Sequence, residues 1–409
     1  MGLSPWARCA WAILALLVLL PLGTAAEPAA PKEAPPLTGP KPVPVPRPPA
    51  AELEGAIRRG VDFLLHRQNA NGSWGSSSST RPEEVYAPVP GAHGAFRAAV
   101  TSMCISALIE TGDPRGEVAR AVDRGEAWLI EHLPAVRRQV PIQAEPGFKG
   151  CLYNNWTHAY SLQTLALLLK RHAGDKERSA KLRQLMAQQV DMLRRYECVD
   201  GGWCYYDLDI QTELPAGSTM SFVTAAALVG LRAAKDSGVD VPKRLVDRAM
   251  ASIVRQRKAD FSVIYGEYLK NRPMLLVNRP PGSLGRSQAC NVAMRLWGDP
   301  KVTDQVIKVW LDWLFARNFW LDAGRKTVVP HESWCQVAGY FYYFGHYYAA
   351  LCIEQLPAAE RPPYRDQLAH VLLRVQDKDG SWWDFPLYDY HQQYGTAFAL
   401  MSLARCRQR

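Results

Sequence analysis

Alternation of apolar and polar residues in the manner of strands is scarce in this 409-residue chain, which excludes a fold built mainly of half-buried strands. Charge of one sign is never concentrated. The net charge is +9 and the isoelectric point about 9.1, yet segments such as KERSAKLRQ and RRGVDFLLHR read as solvated outer faces of helices. They do not form a nucleic-acid-binding stripe, and no nucleic-acid partner is expected. The basic balance suits peripheral contact with an anionic membrane surface. The metalloprotease pattern His-Glu-x-x-His is missing. So is any polar capping unit at either end of the helical region, which an open helical array would need.

What is present begins with an N-terminal run. MGLSPWAR carries one positive charge, CAWAILALLVLLPLG is apolar and short, and small residues end the segment at Ala26. This is the arrangement of a secretory signal over residues 1–26, with a retained anchor as the alternative reading. No cysteine follows the apolar run, which argues against lipoprotein anchoring. Residues 27–50 are Pro-rich and are expected to form an extended spacer without a core. An exported chain with eight cysteines beyond the signal allows disulfides, and Cys198 and Cys204, flanking the turn CVDGGWC, are the best-placed pair. Cys104, Cys290, Cys352 and Cys406 lie on apolar helix faces and read as small buried hydrophobes.

From residue 51 to 409 helical periodicity is nearly continuous. Six amphipathic, charged segments, among them ELEGAIRRGVDFLLHRQ and RSAKLRQLMAQQVDMLRRY, alternate with six that are apolar all round and rich in small residues, such as SFVTAAALVGLRAA and YGTAFALMSLARC. The first kind buries one face; the second belongs inside. Six such pairs predict an all-α fold, a single (α/α)6 toroid of six outer and six inner helices. A superhelical open array is the alternative.

Two stretches repeat. In RGVDFLLHRQNANGSWG, Arg59, Gly60, Phe63, Leu64, Gln68, Gly72 and Trp74 match the QW repeat of terpenoid cyclases, and Gln376, Gly380 and Trp382 repeat its core. Gly201 and Trp203 are a third copy in which Glu197 replaces the Gln. The other hairpins keep fragments, such as RGEAWL. The Gln amide is expected to satisfy backbone groups at a helix end, with the Trp filling a gap between outer helices. On these residues the chain resembles the superfamily of squalene–hopene cyclases, oxidosqualene cyclases and protein prenyltransferase β subunits, and the resemblance covers everything after the spacer.

That resemblance implies a central cavity whose mouth lies where each outer helix leads into the next inner one. It does not bring the family's chemistry with it. Squalene–hopene cyclases use Asp-x-Asp-Asp before a Thr-Ala; here the matching place reads MSFVTA, Met220 to Ala225, without an acid. An alkene is a weak base, so its acid must be unusually strong. The carboxylates available for that role are Asp207 and Asp209 in the preceding loop, Glu332 in PHESWCQ, and Asp389 in YDYHQQY. Prenyltransferases need an Asp-x-Cys and a His for zinc; Gly395 stands where the His would be. The thioester motif of complement is absent; cobalamin carriers also use such a ring, and binding of that kind stays open. His331, Glu332, Cys335, Asp389, His391, His346 and His158 are the residues able to ligate a metal, but a hydrogen-bonded cavity mouth is the preferred reading, and neither a metal nor a cofactor is expected.

Aromatic residues crowd Tyr340 to Tyr348 and Tyr388 to Tyr394. Terpenoid cyclases line their cavities with such rings, whose π faces stabilise carbocations, while a wide core would use the same residues as filler. Trp156, His158, Tyr343, His346, Tyr347, Tyr390, His391 and Tyr394 are expected to line the cavity. The functional expectation is an exported ring that acts on or binds an isoprenoid or other lipid. The alternative is a non-catalytic ring that binds a ligand or a protein partner in the cell envelope.

Overall fold

The computed structural model describes residues 37–82, 90–135, 154–205 and 217–407. The expected signal segment, Asp207 and Asp209 lie outside the described residues. Leu37–Arg409 form one compact unit. Among the described residues there are only helices, turns and isolated bridges, and no helix is long and apolar enough to cross a membrane.

Outer helices α1 (Ala50–His66), α3 (Gly116–His132), α5 (Lys176–Arg195), α7 (Lys243–Gln256), α9 (Asp304–Ala316) and α12 (Arg361–Leu373) alternate with inner helices α2 (Pro90–Thr111), α4 (Asn154–Arg171), α6 (Ser221–Asp236), α8 (Pro280–Leu296), α11 (Phe341–Gln355) and α13 (His391–Cys406); α10 (Phe319–Asp322) is a single turn. Each inner helix packs on the next, and α13 packs on α2, so the inner ring is closed. The expected (α/α)6 toroid is what the chain forms. Small residues allow the close approach. A Cβ on Gly345 of α11 would lie 2.7 Å from the Cα of Gly285 on α8, and one on Gly230 of α6 would lie 2.5 Å from the Ala159 carbonyl oxygen of α4.

The two Gln–x–x–x–Gly–x–Trp turns show how the outer ring closes. Gln68 at the end of α1 donates to Gly72 O at 2.9 Å and to Ala121 O of α3 at 2.8 Å, while Arg124 of α3 donates back to its Oε1. Gln376, after α12, does the same to Gly380 O and to Ala56 O of α1, and receives Arg59. The Gln is therefore a plug and the Arg-Gly pair of the next outer helix its socket. Trp74 packs against Gly125 and Trp382 against Gly60. Sequence reasoning gave the helix end to the Gln. The structure gives it to the Trp: Trp74, Trp203 and Trp382 donate from Nε1 to Leu64 O, Leu193 O and Leu372 O at 2.7–2.9 Å, and their own amides donate to Thr101, Thr224 and Thr396 of the following inner helix at 2.9–3.0 Å.

A fourth copy escapes the motif. Arg257 and Val263 form the same bridge as Gln68 and Trp74, with an Arg257–Asp299 ion pair at 2.5 Å in place of the amide contacts. Phe261 holds φ 61° where the other copies have Gly72, Gly201 and Gly380 at φ about 90°.

Two further ties join the ends of the ring. Asp389 accepts from Arg67 at 2.5 Å and from Ser76 Oγ at 3.1 Å, and its backbone pairs with Ser76 and Ser78. Residues 37–49, expected as spacer, instead lie along the outer helices. Lys41 pairs with Asp312 of α9 at 2.5 Å, Val43 O accepts from Gln367 of α12 at 2.5 Å, and Gly39 sits against Trp313.

Gly380 has φ 88°, and a Cβ there would lie 2.5 Å from Arg59 O. Gly380→Ala is expected to cost more than about 2 kcal/mol in chemical denaturation, from left-handed strain plus the clash. Gly174→Ala, with nothing within 4 Å, is expected to be neutral or slightly stabilising.

Candidate functional site

At one end of the ring five of the six inner helices, with the loops that precede them, enclose a cavity of about 420 Å³. Phe96, Ala99, Val100 and Met103 come from α2, Trp156 and Tyr160 from α4, Phe222 from α6, Phe341 and Phe344 from α11, and Tyr394 and Phe398 from α13. Loops add Tyr205, Tyr265, Tyr340, Phe385, Leu387 and Tyr390, with Val329, Pro330 and His331. Its described lining holds no Asp, Glu, Lys or Arg. Phe222 is the hub: its ring meets Tyr265 at 5.1 Å and Phe341 at 4.9 Å, both edge-to-face, the geometry that ring quadrupoles favour. It stands in the MSFVTA segment.

The opposite end, formed by the C-terminal turns of the inner helices, holds a smaller basin of about 270 Å³ with Glu110, Gln163, Tyr347, Glu354 and Arg405 in its lining. Arg405 is paired there with Glu110 and, at 3.3 Å, with Glu354. Met103 and Tyr160 line both spaces.

Of the cavity residues expected from sequence, Trp156, Tyr390 and Tyr394 line the aromatic cavity. Tyr347 instead lines the basin and donates to Gln163 at 2.8 Å. His158 faces α5, where its Nδ1 donates to Gln189 Oε1 at 2.7 Å. His346 bridges Tyr342 O and Asn318, and His391 donates to Tyr388 O under Trp383. Tyr343 is buried beside Asp384, to which its amide donates. Helical geometry is the reason. In the run from Tyr340 to Tyr348, only Tyr340, Phe341 and Phe344 reach the aromatic cavity, since one face of a helix turns inward. Burial holds His158 and His346 down to about 4, so both are neutral.

Of the carboxylates proposed as acids, Glu332 is exposed on the loop before α11, and Asp389 belongs to the ring-closing tie described above; neither lines the cavity. The metal candidates are likewise dispersed, and among the described residues no three His, Cys, Asp or Glu come together as a metal site. Cys198 and Cys204 form a small buried cluster with Tyr205 and Met220. Cys104, Cys290, Cys352 and Cys406 are buried thiols.

Sequence reasoning passed over Asp384, in the WWDFP segment. It is fully buried and accepts from the Tyr343 amide at 3.0 Å and from Tyr394 Oη at 2.7 Å. Burial pushes its carboxyl up to about 7. It stands behind Tyr394 rather than in the cavity wall. Tyr265, Phe222 and the buried Arg286 also carry no motif and were not legible in advance.

No protein-family model matches the sequence. Among solved structures the chain is similar to the α-1,6-mannanase GH76A of Salegentibacter sp. HEL1_6, at 10% identity over 87% of this chain and 99% of that one, with a TM-score of 0.54. It is similar to a possible member of the GH105 family from Klebsiella pneumoniae, at 12% identity over 93% and 98%, TM-score 0.53. It is also similar to the type II terpene cyclase MstE from Scytonema in complex with geranylgeranyl dihydroxybenzoate, at 16% identity over 87% and 97%, TM-score 0.48. At such identities the first two likenesses establish the fold alone, an α/α toroid.

The raised carboxyl of Asp384 has a signed consequence. Its stabilising contribution is complete below the unfolded value near 3.8 and is lost as pH rises through about 7. His158 and His346 act oppositely, contributing above the unfolded value near 6.5 and failing as pH falls toward about 4. Because the two overlap, the informative quantity is the stability of the native protein minus that of Asp384→Asn. This difference is expected to fall by roughly 2–4 kcal/mol between pH 4 and pH 7 and to be flat above it. Urea unfolding across that range measures it; a constant difference would mean that the carboxyl is ionised in the fold.

Proposed function

We propose that this ring is a lipid-binding protein of the cell envelope, which holds an isoprenoid or another neutral lipid in the aromatic cavity. One observation carries the reading: a cavity of about 420 Å³ whose described lining is aromatic and aliphatic, without a charged side chain. Apolar surface leaving water contributes about 25 cal/mol per Å², and a largely pre-formed apolar pocket is the usual form of such a site. The N-terminal signal-like segment supports export.

Binding is favoured over cyclisation by the nature of the acids. Protonating an alkene needs a carboxylic acid stronger than usual. Asp384 is displaced in the opposite direction by burial, its oxygens are engaged by Tyr343 and Tyr394, and it does not face the cavity. A polysaccharide-cleaving role would need a pair of carboxylates flanking the substrate, and the described lining offers none.

Protein purified without detergent is expected to release a neutral lipid in near-stoichiometric amount when extracted with organic solvent and analysed by mass spectrometry. Ala99→Trp, which fills the cavity from α2, is expected to reduce the yield at least tenfold while the far-ultraviolet circular dichroism is unchanged. Equal lipid from both proteins would place any bound lipid elsewhere.

A further inference from the structure

In one wall of the cavity four polar side chains from three segments meet: Tyr205 after α5, Tyr265 after α7, and His331 and Tyr340 before α11. All four line the cavity. The hydroxyls of Tyr205 and Tyr265 share a short hydrogen bond. Those of Tyr265 and Tyr340 are 2.8 Å apart, those of Tyr205 and Tyr340 3.4 Å, and Tyr340 Oη is 3.2 Å from His331 Nε2.

The direction of this chain of bonds is fixed by one carbonyl. His331 Nδ1 lies 2.7 Å from Gln336 O. A carbonyl only accepts, so Nδ1 carries the hydrogen. Burial and the nearby Arg286 charge hold His331 below its ordinary pKa, against the opposing effect of that bond. The ring is neutral, and Nε2 presents a lone pair. Tyr340 therefore donates to His331, Tyr265 donates to Tyr340, and Tyr205 donates to Tyr265. Burial raises the phenols of Tyr205 and Tyr265 well above the usual value, so both stay protonated. With the donors directed along the chain, the Tyr265 oxygen accepts once, donates its hydrogen to Tyr340, and keeps a second lone pair for the cavity.

The surroundings point the same way. Arg286 lies behind the rings of Tyr265 and Phe341, 5.5 and 5.9 Å from their centroids. Its Nε donates to Val263 O, Nη1 to Gly282 O and Nη2 to Val277 O. The charge is buried behind the wall and does not stand in the cavity as a partner for a phosphate or carboxylate. His331 itself holds φ 65°, and Cys335 and Gln336 in the same loop hold φ 63° and 56°, a backbone conformation disfavoured for side chains with a Cβ. The loop adopts it while bringing His331 to Tyr340.

We infer that this cluster anchors a hydroxyl group, and that the ligand of the cavity is a lipid alcohol whose O–H donates to the Tyr265 oxygen. The inference rests on the cavity being a lipid site. An aldehyde or ketone of the same chain would meet the Tyr265 lone pair with a lone pair, and a hydrocarbon would bring it no donor.

Calorimetric titration of the full chain with farnesol, farnesal and farnesene tests this. Farnesol is expected to bind about tenfold more tightly than either of the others, the worth of one good hydrogen bond. Tyr265→Phe is expected to reduce farnesol to the affinity of farnesene and to leave farnesene unchanged, which also shows that the variant is folded. His331→Asn tolerates the left-handed backbone but is too short to reach Tyr340. It frees the Tyr340 proton for the ligand and is expected to raise the affinity for farnesal, a change that loss of structure would not produce. Equal binding of farnesol and farnesene by the native protein would overturn the anchor and leave the lipid cavity standing, as would an equal loss of both in Tyr265→Phe. If none of the three binds, both readings fall.

Discussion

The contact between a Gln–Gly–Trp turn and the Arg–Gly pair of the next outer helix is the constraint on which the rest of this molecule depends. It satisfies three needs in one place. The amide ties one outer helix to the backbone of the next, the indole N–H caps the helix it leaves, and the Trp ring fills the space that Gly60 or Gly125 opens for it. Because the last turn, at Gln376, plugs into the first outer helix, at Arg59, the array closes. Closure brings the N-terminal parts of the inner helices to one end, where five of them enclose the aromatic cavity. The Asp389 tie and the strap formed by residues 37–49 reinforce the outside of the same ring.

The two ends of the ring differ in chemistry although they share Met103 and Tyr160. At the end formed by the first helix turns, aromatic rings from five inner helices, centred on Phe222, make an apolar space with one polar cluster. At the other, Arg405 pairs with Glu110 and Glu354 in a smaller basin that Lys170, Arg232 and Asp236 also line. An apolar ligand is favoured at the first end and excluded from the second by the cost of displacing water from ionised groups.

The fold was legible because its signals are local and repeated. Amphipathic and all-apolar helices alternate, and Gln68, Gly72 and Trp74 recur as Gln376, Gly380 and Trp382. The fourth copy was not legible, because an Arg257–Asp299 ion pair does the work of the Gln and Phe261 accepts the backbone that Gly takes elsewhere. The cavity was legible in kind but only partly in residues. Trp156, Tyr390 and Tyr394 were expected, whereas His158 and His346 turned out to brace neighbouring elements. Which side of an all-apolar helix turns inward has no periodic signal, since every side is buried. Asp384 and the Tyr205–Tyr265–Tyr340–His331 cluster depend on contacts between segments far apart in sequence, and a single sequence does not record those.

The proposed lipid site lies at the aromatic end of the ring. A crystal structure of the protein with a bromine-labelled isoprenoid alcohol tests it directly. Anomalous density is expected inside the ring, bounded by Phe222, Phe344 and Phe398. Density in the basin beside Glu110 and Arg405, or only on the outer surface, would contradict it.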